Sequence, residues 1–220
     1  MADFDFVIAG GRLFDGSGNL PRAVDVAVKD GKVAQIGVKL TEGYSGDVID
    51  ATGQWVIPGL VDVHTHYDLE LELAPGLPES VRHGTTTVVM SNCSLGLAFG
   101  AQRKNGDDPI ISCFARVENM PKSVLKIAAD KVYWNNSAEY LEHLETIPLG
   151  PNVVPMIPHS MLRIEVMGLD ESVSRHPTEK ELETMGALLQ KGMDEGYAGF
   201  STDALPFHFC LLYTSDAADD

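Results

Sequence analysis

His64-Thr65-His66 closes an apolar run, Trp55-Val56-Ile57-Pro58-Gly59-Leu60-Val61-Asp62-Val63. A run of this kind predicts a buried parallel strand. Side chains on a strand alternate between faces, so Asp62, His64, His66 and Asp68 are expected to point the same way. Two imidazoles and two carboxylates in an apolar wall are costly unless something binds them, and a divalent metal is the natural occupant. The plain alternative is a pair of histidines satisfied by ordinary neighbours. Placement directly after a hydrophobic strand and Pro58-Gly59 favours ligation, with the carboxylates as partners that orient the rings.

Cys93 ends a second β-branched run, Thr85-Thr86-Thr87-Val88-Val89-Met90-Ser91-Asn92. Neighbouring strand ends share one rim of a barrel, so a thiolate there could reach a metal held by His64 and His66. A small buried hydrophobe is the other reading, and residue type alone does not choose. His159 and Arg163 follow a third extended run and are candidates to hold substrate. Arg163 could grip a carboxylate bidentately or serve a local ion pair. Asp203 could face the same rim or cap a turn. His83, His143, His176 and His208 have no supporting constellation in the sequence.

The elements that must position these groups fall into two regimes. Residues 1–57 read as a small β domain of the sandwich type, with short strands and a hairpin turn at Lys29-Asp30-Gly31-Lys32. From residue 58 the rhythm becomes strand, helix, strand. Extended runs are predicted over 60–64, 85–93, 152–159 and 198–202, with a short strand or loop at 110–115. Helices are predicted ending at Gly84, over 137–144 with a serine N-cap, and behind a capping box at Thr178-Glu179-Lys180-Glu181. That last helix presents Leu182, Met185, Leu188, Leu189 and Met193 on one face and stops at Gly196. The fold class is therefore α/β, and ligands at strand ends favour a (β/α)8 barrel. Such a barrel takes about 250 residues. Residues 58–209 are thus expected to form its N-terminal half. Residues 210–220 have no helical or strand logic, resemble a translated sequencing-library adapter, and are set aside.

Composition excludes several functions. The chain carries 16 basic and 32 acidic residues, a formal net charge of −16, which argues against nucleic acid and anionic membrane surfaces as partners. No apolar stretch reaches membrane-spanning length, and no basic segment followed by an apolar core opens the chain. Three cysteines (Cys93, Cys113, Cys210) do not make a disulfide framework. The expected compartment is the cytoplasm, and oligomeric state is not legible.

Gly59-Leu60-Val61-Asp62-Val63-His64-Thr65-His66-Tyr67-Asp68, the segment from Gly84 to Cys93, the stretch His159–Gly168 and Gly199-Phe200-Ser201-Thr202-Asp203 together resemble the amidohydrolase superfamily, in its N-acyl-D-amino-acid deacylase branch. The H-x-H pair marks only the superfamily. The Asn92-Cys93 pair is more specific, because that branch uses cysteine where relatives use a carboxylated lysine. The resemblance implies that His64, His66 and Cys93 are metal ligands, with Zn2+ as the ion and His159 and Arg163 near a small N-acyl amino acid substrate. It implies a zinc-dependent hydrolase of non-peptide amide bonds, in which metal-activated water attacks the carbonyl. It also implies that further histidine ligands and a catalytic aspartate lie beyond residue 209, so the fragment alone is expected to be inactive. Hydantoinase-like or dihydroorotase-like cyclic-amide hydrolysis is the competing enzyme reading. No lysine near Ser201-Thr202 or 152–159 supports it. A scaffold that has lost its chemistry is the non-enzymatic one.

Overall fold

The computed structural model describes residues 3–100 and 109–203. The set-aside tail, with Cys210, and also His208, lies outside the described residues. The chain divides into two compact units between Gly59 and Leu60.

The first unit is all β. Strands β1 (Phe6–Ala9), β4 (Asp25–Lys29), β5 (Lys32–Gly37) and β6 (Asp47–Asp50) form one sheet in the order β5-β4-β1-β6. Strands β2 (Arg12–Leu13), β3 (Arg22–Ala23) and β7 (Trp55–Val56) form another, ordered β3-β2-β7. The β4–β5 hairpin turns at Asp30 (φ 50°) and Gly31 (φ 70°), the two positive values that a tight primed turn requires. Between β3 and β4 the chain changes sheets at Val24. Asp25 follows this switch. It is buried, and its carboxylate accepts from the Gly10 and Leu40 amides at 3.0 and 2.9 Å, which removes the cost of enclosing it.

The second unit alternates strands and helices. Its strands are β8 (Leu60–Asp62), β9 (Thr85–Met90), β10 (Asn152–Pro155), β11 (Ile157–Pro158) and β12 (Phe200–Ser201). All pairings are parallel, with β9 between β8 and β10, and β11 beside β12. Segment 152–158 serves both sheets. Met156 N–H still bonds Met90 O at 3.2 Å, whereas Pro155 O accepts from Ala198 N–H at 3.1 Å and Ile157 N–H donates to Gly199 O at 2.9 Å. The spatial order therefore follows the chain order, as in a (β/α) barrel segment.

Helices α1 (Asp68–Leu71) and α2 (Pro78–Arg82) connect β8 to β9; α3 (Pro109–Val117), α4 (Lys122–Ala129) and α5 (Ser137–Thr146) precede β10. Helices α6 (His159–Met167), α7 (Leu169–Ser174) and α8 (Glu179–Glu195) precede β12. Four expectations need correction. Residues 110–115 are helical, because Ile110, Cys113 and Phe114 recur at helical spacing and are buried together. The cap of α5 is Asn136, whose side chain accepts from the Glu139 amide at 3.1 Å, while Ser137 Oγ reaches Glu195 at 2.6 Å. The strand expected through His64 stops at Asp62, and His159 opens α6 instead of closing a strand.

The capping box of α8 is present in full, and Arg175 grips Glu181 through two 2.8 Å bonds. That guanidinium, with Thr178, holds the Glu181 carboxyl well below the usual carboxylate range. On the apolar face Met185 is buried and Leu188, Leu189 and Met193 pack on the core, while Leu182 is largely exposed. Replacing Thr178 with alanine is expected to lower stability by about 1 kcal/mol, read as a shift in the urea midpoint at unchanged slope.

Candidate metal centre

After β8 the chain bends, and hydrogen bonds to β9 fix the bend. Thr65 N–H and Oγ1–H both bond Val89 O, at 3.1 and 2.7 Å. Asn92 Nδ2 donates to the same carbonyl at 3.0 Å and to Thr65 O at 3.4 Å. Past β9 the backbone turns sharply: Ser91, Cys93 and Ser94 have φ of 63°, 49° and 65°. The two bends bring His64 Nε2 to 3.0 Å from Cys93 Sγ and set the His64 and His66 ring centres 5.3 Å apart. One donor atom from each of His64, His66 and Cys93 lies within 4.8 Å of the others.

A tetrahedral ion with bonds of about 2.0–2.3 Å holds its donors roughly 3.3–3.8 Å apart. The trio fits that spacing with small side-chain adjustments, and two imidazoles with a thiol are a donor set suited to a borderline-soft ion. Beside it opens a cavity of about 300 Å³ lined by Asp62, His66, Tyr67, Glu70, Glu118 and Met120. Glu118 Oε1 stands 3.7 Å from His66 Nε2. Burial pushes the Cys93 thiol pKa up, and the Glu118 charge adds to the shift. Nothing in the sequence singled out Glu118. It follows α3 directly, just before Asn119 (φ 52°), a placement without a local motif.

The other candidates separate. Asp62 Oδ1 accepts from the His64 amide at 3.2 Å, so it shapes the bend rather than touching the ring. Asp68 does not share a strand face with the histidines, because it begins α1. It is fully buried, and its carboxylate accepts from Ser91 N–H at 3.2 Å and Ser91 Oγ–H at 2.6 Å. Burial raises its pKa to about 6, against the opposing effect of those bonds. His159 is buried at the start of α6, with Nδ1 3.3 Å from Thr202 Oγ1 and its ring tilted against Phe200. Arg163 is buried too. One terminal nitrogen donates to Ser172 O at 2.8 Å and Arg175 O at 3.2 Å, joining α6 to the end of α7. Neither residue is part of the three-donor group. His143, without a partner in the sequence, bonds Glu72 at 2.9 Å in a buried pair.

Comparison with known proteins agrees with this geometry. A family model described as "Amidohydrolase family" matches residues 47–217. An uncharacterized protein of Mycobacterium tuberculosis is 43% identical over 202 residues, covering 90% of this chain and 32% of that protein. A D-aminoacylase of Alcaligenes xylosoxydans xylosoxydans is 32% identical over 202 residues, covering 91% and 38%. The crystal structure of an N-acyl-D-glutamate deacylase from Bordetella bronchiseptica, complexed with zinc and a phosphonate inhibitor, superposes with a TM-score of 0.72 at 29% identity, covering 91% of this chain and 38% of that one. The chain thus spans roughly a third to two fifths of these relatives' lengths. With parallel strands in barrel order, a His-His-Cys group at their ends and a family match over most of its length, the chain belongs to the amidohydrolase family.

Proposed function

We propose that the protein containing this chain is a zinc-dependent amide hydrolase that removes the N-acyl group from D-amino acids, with His64, His66 and Cys93 among the metal ligands. The observation that carries this reading is the convergence of two imidazoles and a thiol beside an open, polar-lined cavity. The likeness to a D-aminoacylase and to a zinc-bound N-acyl-D-glutamate deacylase supplies the substrate class. Zinc, when bound, would acidify water and polarise the amide carbonyl. Among this chain's own groups, the imidazoles and the thiolate would fix the ion. Tyr67 and Met120 would form the cavity wall on which substrate rests, and Glu118 would keep a negative charge beside His66. We place His159 on the substrate side of the β11 end, and give Arg163 the task of fixing the helix that carries it. Among the described residues no helix is long and apolar enough to cross a membrane. The cytoplasm, where a ligating thiol stays reduced, is the proposed compartment.

The deciding assay offers the full-length zinc-loaded protein N-acetyl-D-methionine and hydantoin. Release of D-methionine with no opening of hydantoin is the expected result. Turnover of hydantoin alone would overturn the deacylase reading in favour of a cyclic-amide hydrolase.

Metal uptake should also depend on pH in a stated direction. The raised thiol pKa keeps Cys93 protonated at neutral pH without metal, so binding must displace a proton. Affinity is therefore expected to rise with pH, with protons released on binding. Competition against a chromophoric chelator at several pH values measures this, and a flat profile would show that the thiol is not a ligand.

A further inference from the structure

The three donors come from two separate segments, 64–66 after β8 and 91–94 after β9, and something must hold one against the other. The second segment cannot hold itself. Ser91, Cys93 and Ser94 all occupy the left-handed region, a conformation that crowds any residue with a Cβ. Such a turn persists only where its surroundings over-determine it.

Three clamps do so. Ser201 Oγ donates to Ser91 O at 2.5 Å and accepts from Ser94 N–H at 3.2 Å. Ser94 Oγ accepts from the Ser160 amide at 2.6 Å. These two tie the turn to β12 and α6. The third clamp is Asp68, two residues beyond His66, whose carboxylate takes both the N–H and the Oγ–H of Ser91. Among the described residues it joins the imidazole segment to the thiol segment through a charged side chain; beside it stand only the longer Asn92 bond to Thr65 O, at 3.4 Å, and the 3.0 Å approach of the two donors His64 and Cys93 themselves. A fully buried carboxylate with no cationic partner among its hydrogen bonds is an expensive way to fill space. An asparagine of the same shape would serve packing alone at lower cost.

We infer that Asp68 is a positioning residue of the metal centre: by holding Ser91 it sets the Cys93 sulfur against His64 and His66. The inference rests on the metal-binding reading above and deepens it. Asp68→Asn keeps the shape but turns an amide N–H2 toward one of the two Ser91 donors. Ser91→Ala removes only the Oγ–H bond.

The test loads the purified protein with Co2+ and follows the near-ultraviolet thiolate-to-cobalt charge-transfer band, with Cys93→Ala as the blank. The wild type is expected to show the band. Asp68→Asn is expected to bind Co2+ about 10–100-fold more weakly, the range typical of groups that orient ligands, and to show a weaker band even at saturation. Ser91→Ala should shift both in the same direction by a smaller factor, and it decides the matter should Asp68→Asn fail to fold. A merely structural Asp68 would lower the melting temperature but leave the saturated band intact, and that outcome overturns the inference while sparing the metal reading. A wild type that binds Co2+ without any thiolate band overturns both.

Discussion

Replacing Cys93 by alanine should strip the centre of its ion. Orienting groups around a metal typically contribute 10–100-fold in affinity, and a direct ligand is expected to exceed about 100-fold. Among the described residues the geometry offers no substitute within the donor group. His64 Nε2 lies 3.0 Å from the sulfur, and the Glu118 carboxylate, 3.7 Å from His66 Nε2, stands outside the three-donor group. Of the described donors two imidazoles would remain, short of the three protein ligands usual in catalytic zinc sites. Serine at this position should not rescue, because a hydroxyl is harder and far less acidic than a thiol. The fold should survive, since the clamps on the turn use Ser91, Ser94, Asp68 and Ser201 and not the sulfur. Metal content after dialysis, measured beside far-ultraviolet circular dichroism, checks both halves. Retained zinc in a folded Cys93→Ala protein would remove this residue from the centre.

The parts of this picture that a sequence carries are those with a local cause. Asp30-Gly31 between alternating runs specifies a primed turn, because both positions need positive φ. Thr178 and Glu181 specify a helix start, because each side chain satisfies the other's backbone amide. The donor trio was legible from residue type at the ends of two apolar runs. Its geometry was not: the same-face alternation expected of Asp62, His64, His66 and Asp68 fails, because the strand ends at Asp62 and Asp68 enters a helix. His64 and His66 still converge, through a bend laced to Val89 by Thr65 and Asn92. Ile110-Ile111 suggests a short strand or a loop, since β-branched residues disfavour helix, yet the spacing of Ile110, Cys113 and Phe114 has a helical period. Glu118 and the Glu72–His143 pair, the latter 71 residues apart in sequence, depend on tertiary placement alone.

Trp134→Ala should be the most destabilising single truncation in the barrel unit. The indole is 2% exposed and stacks on Tyr140 and His143 with ring centres 4.8 and 4.6 Å away. Its Nε1–H donates to Leu97 O at 2.6 Å, on the segment that continues from the Cys93 turn. Gly100 completes the contact: a Cβ there would lie 2.6 Å from Trp134 O, so only glycine lets that backbone lie against the tryptophan. Removing the ring leaves a cavity and uncovers a buried carbonyl, for an expected loss of about 3–5 kcal/mol. Against a total of roughly 5–15 kcal/mol for a folded domain, this brings the protein near its unfolding threshold. Trp134→Phe separates the two contributions. It keeps most of the apolar volume and both stacking partners but leaves Leu97 O without its donor, costing about 1–3 kcal/mol. Urea unfolding followed by circular dichroism orders the three proteins as wild type, phenylalanine, alanine. An alanine variant within about 1 kcal/mol of the wild type would mean that the ring does not anchor the segment behind Cys93, since even an ordinary buried-residue truncation costs more.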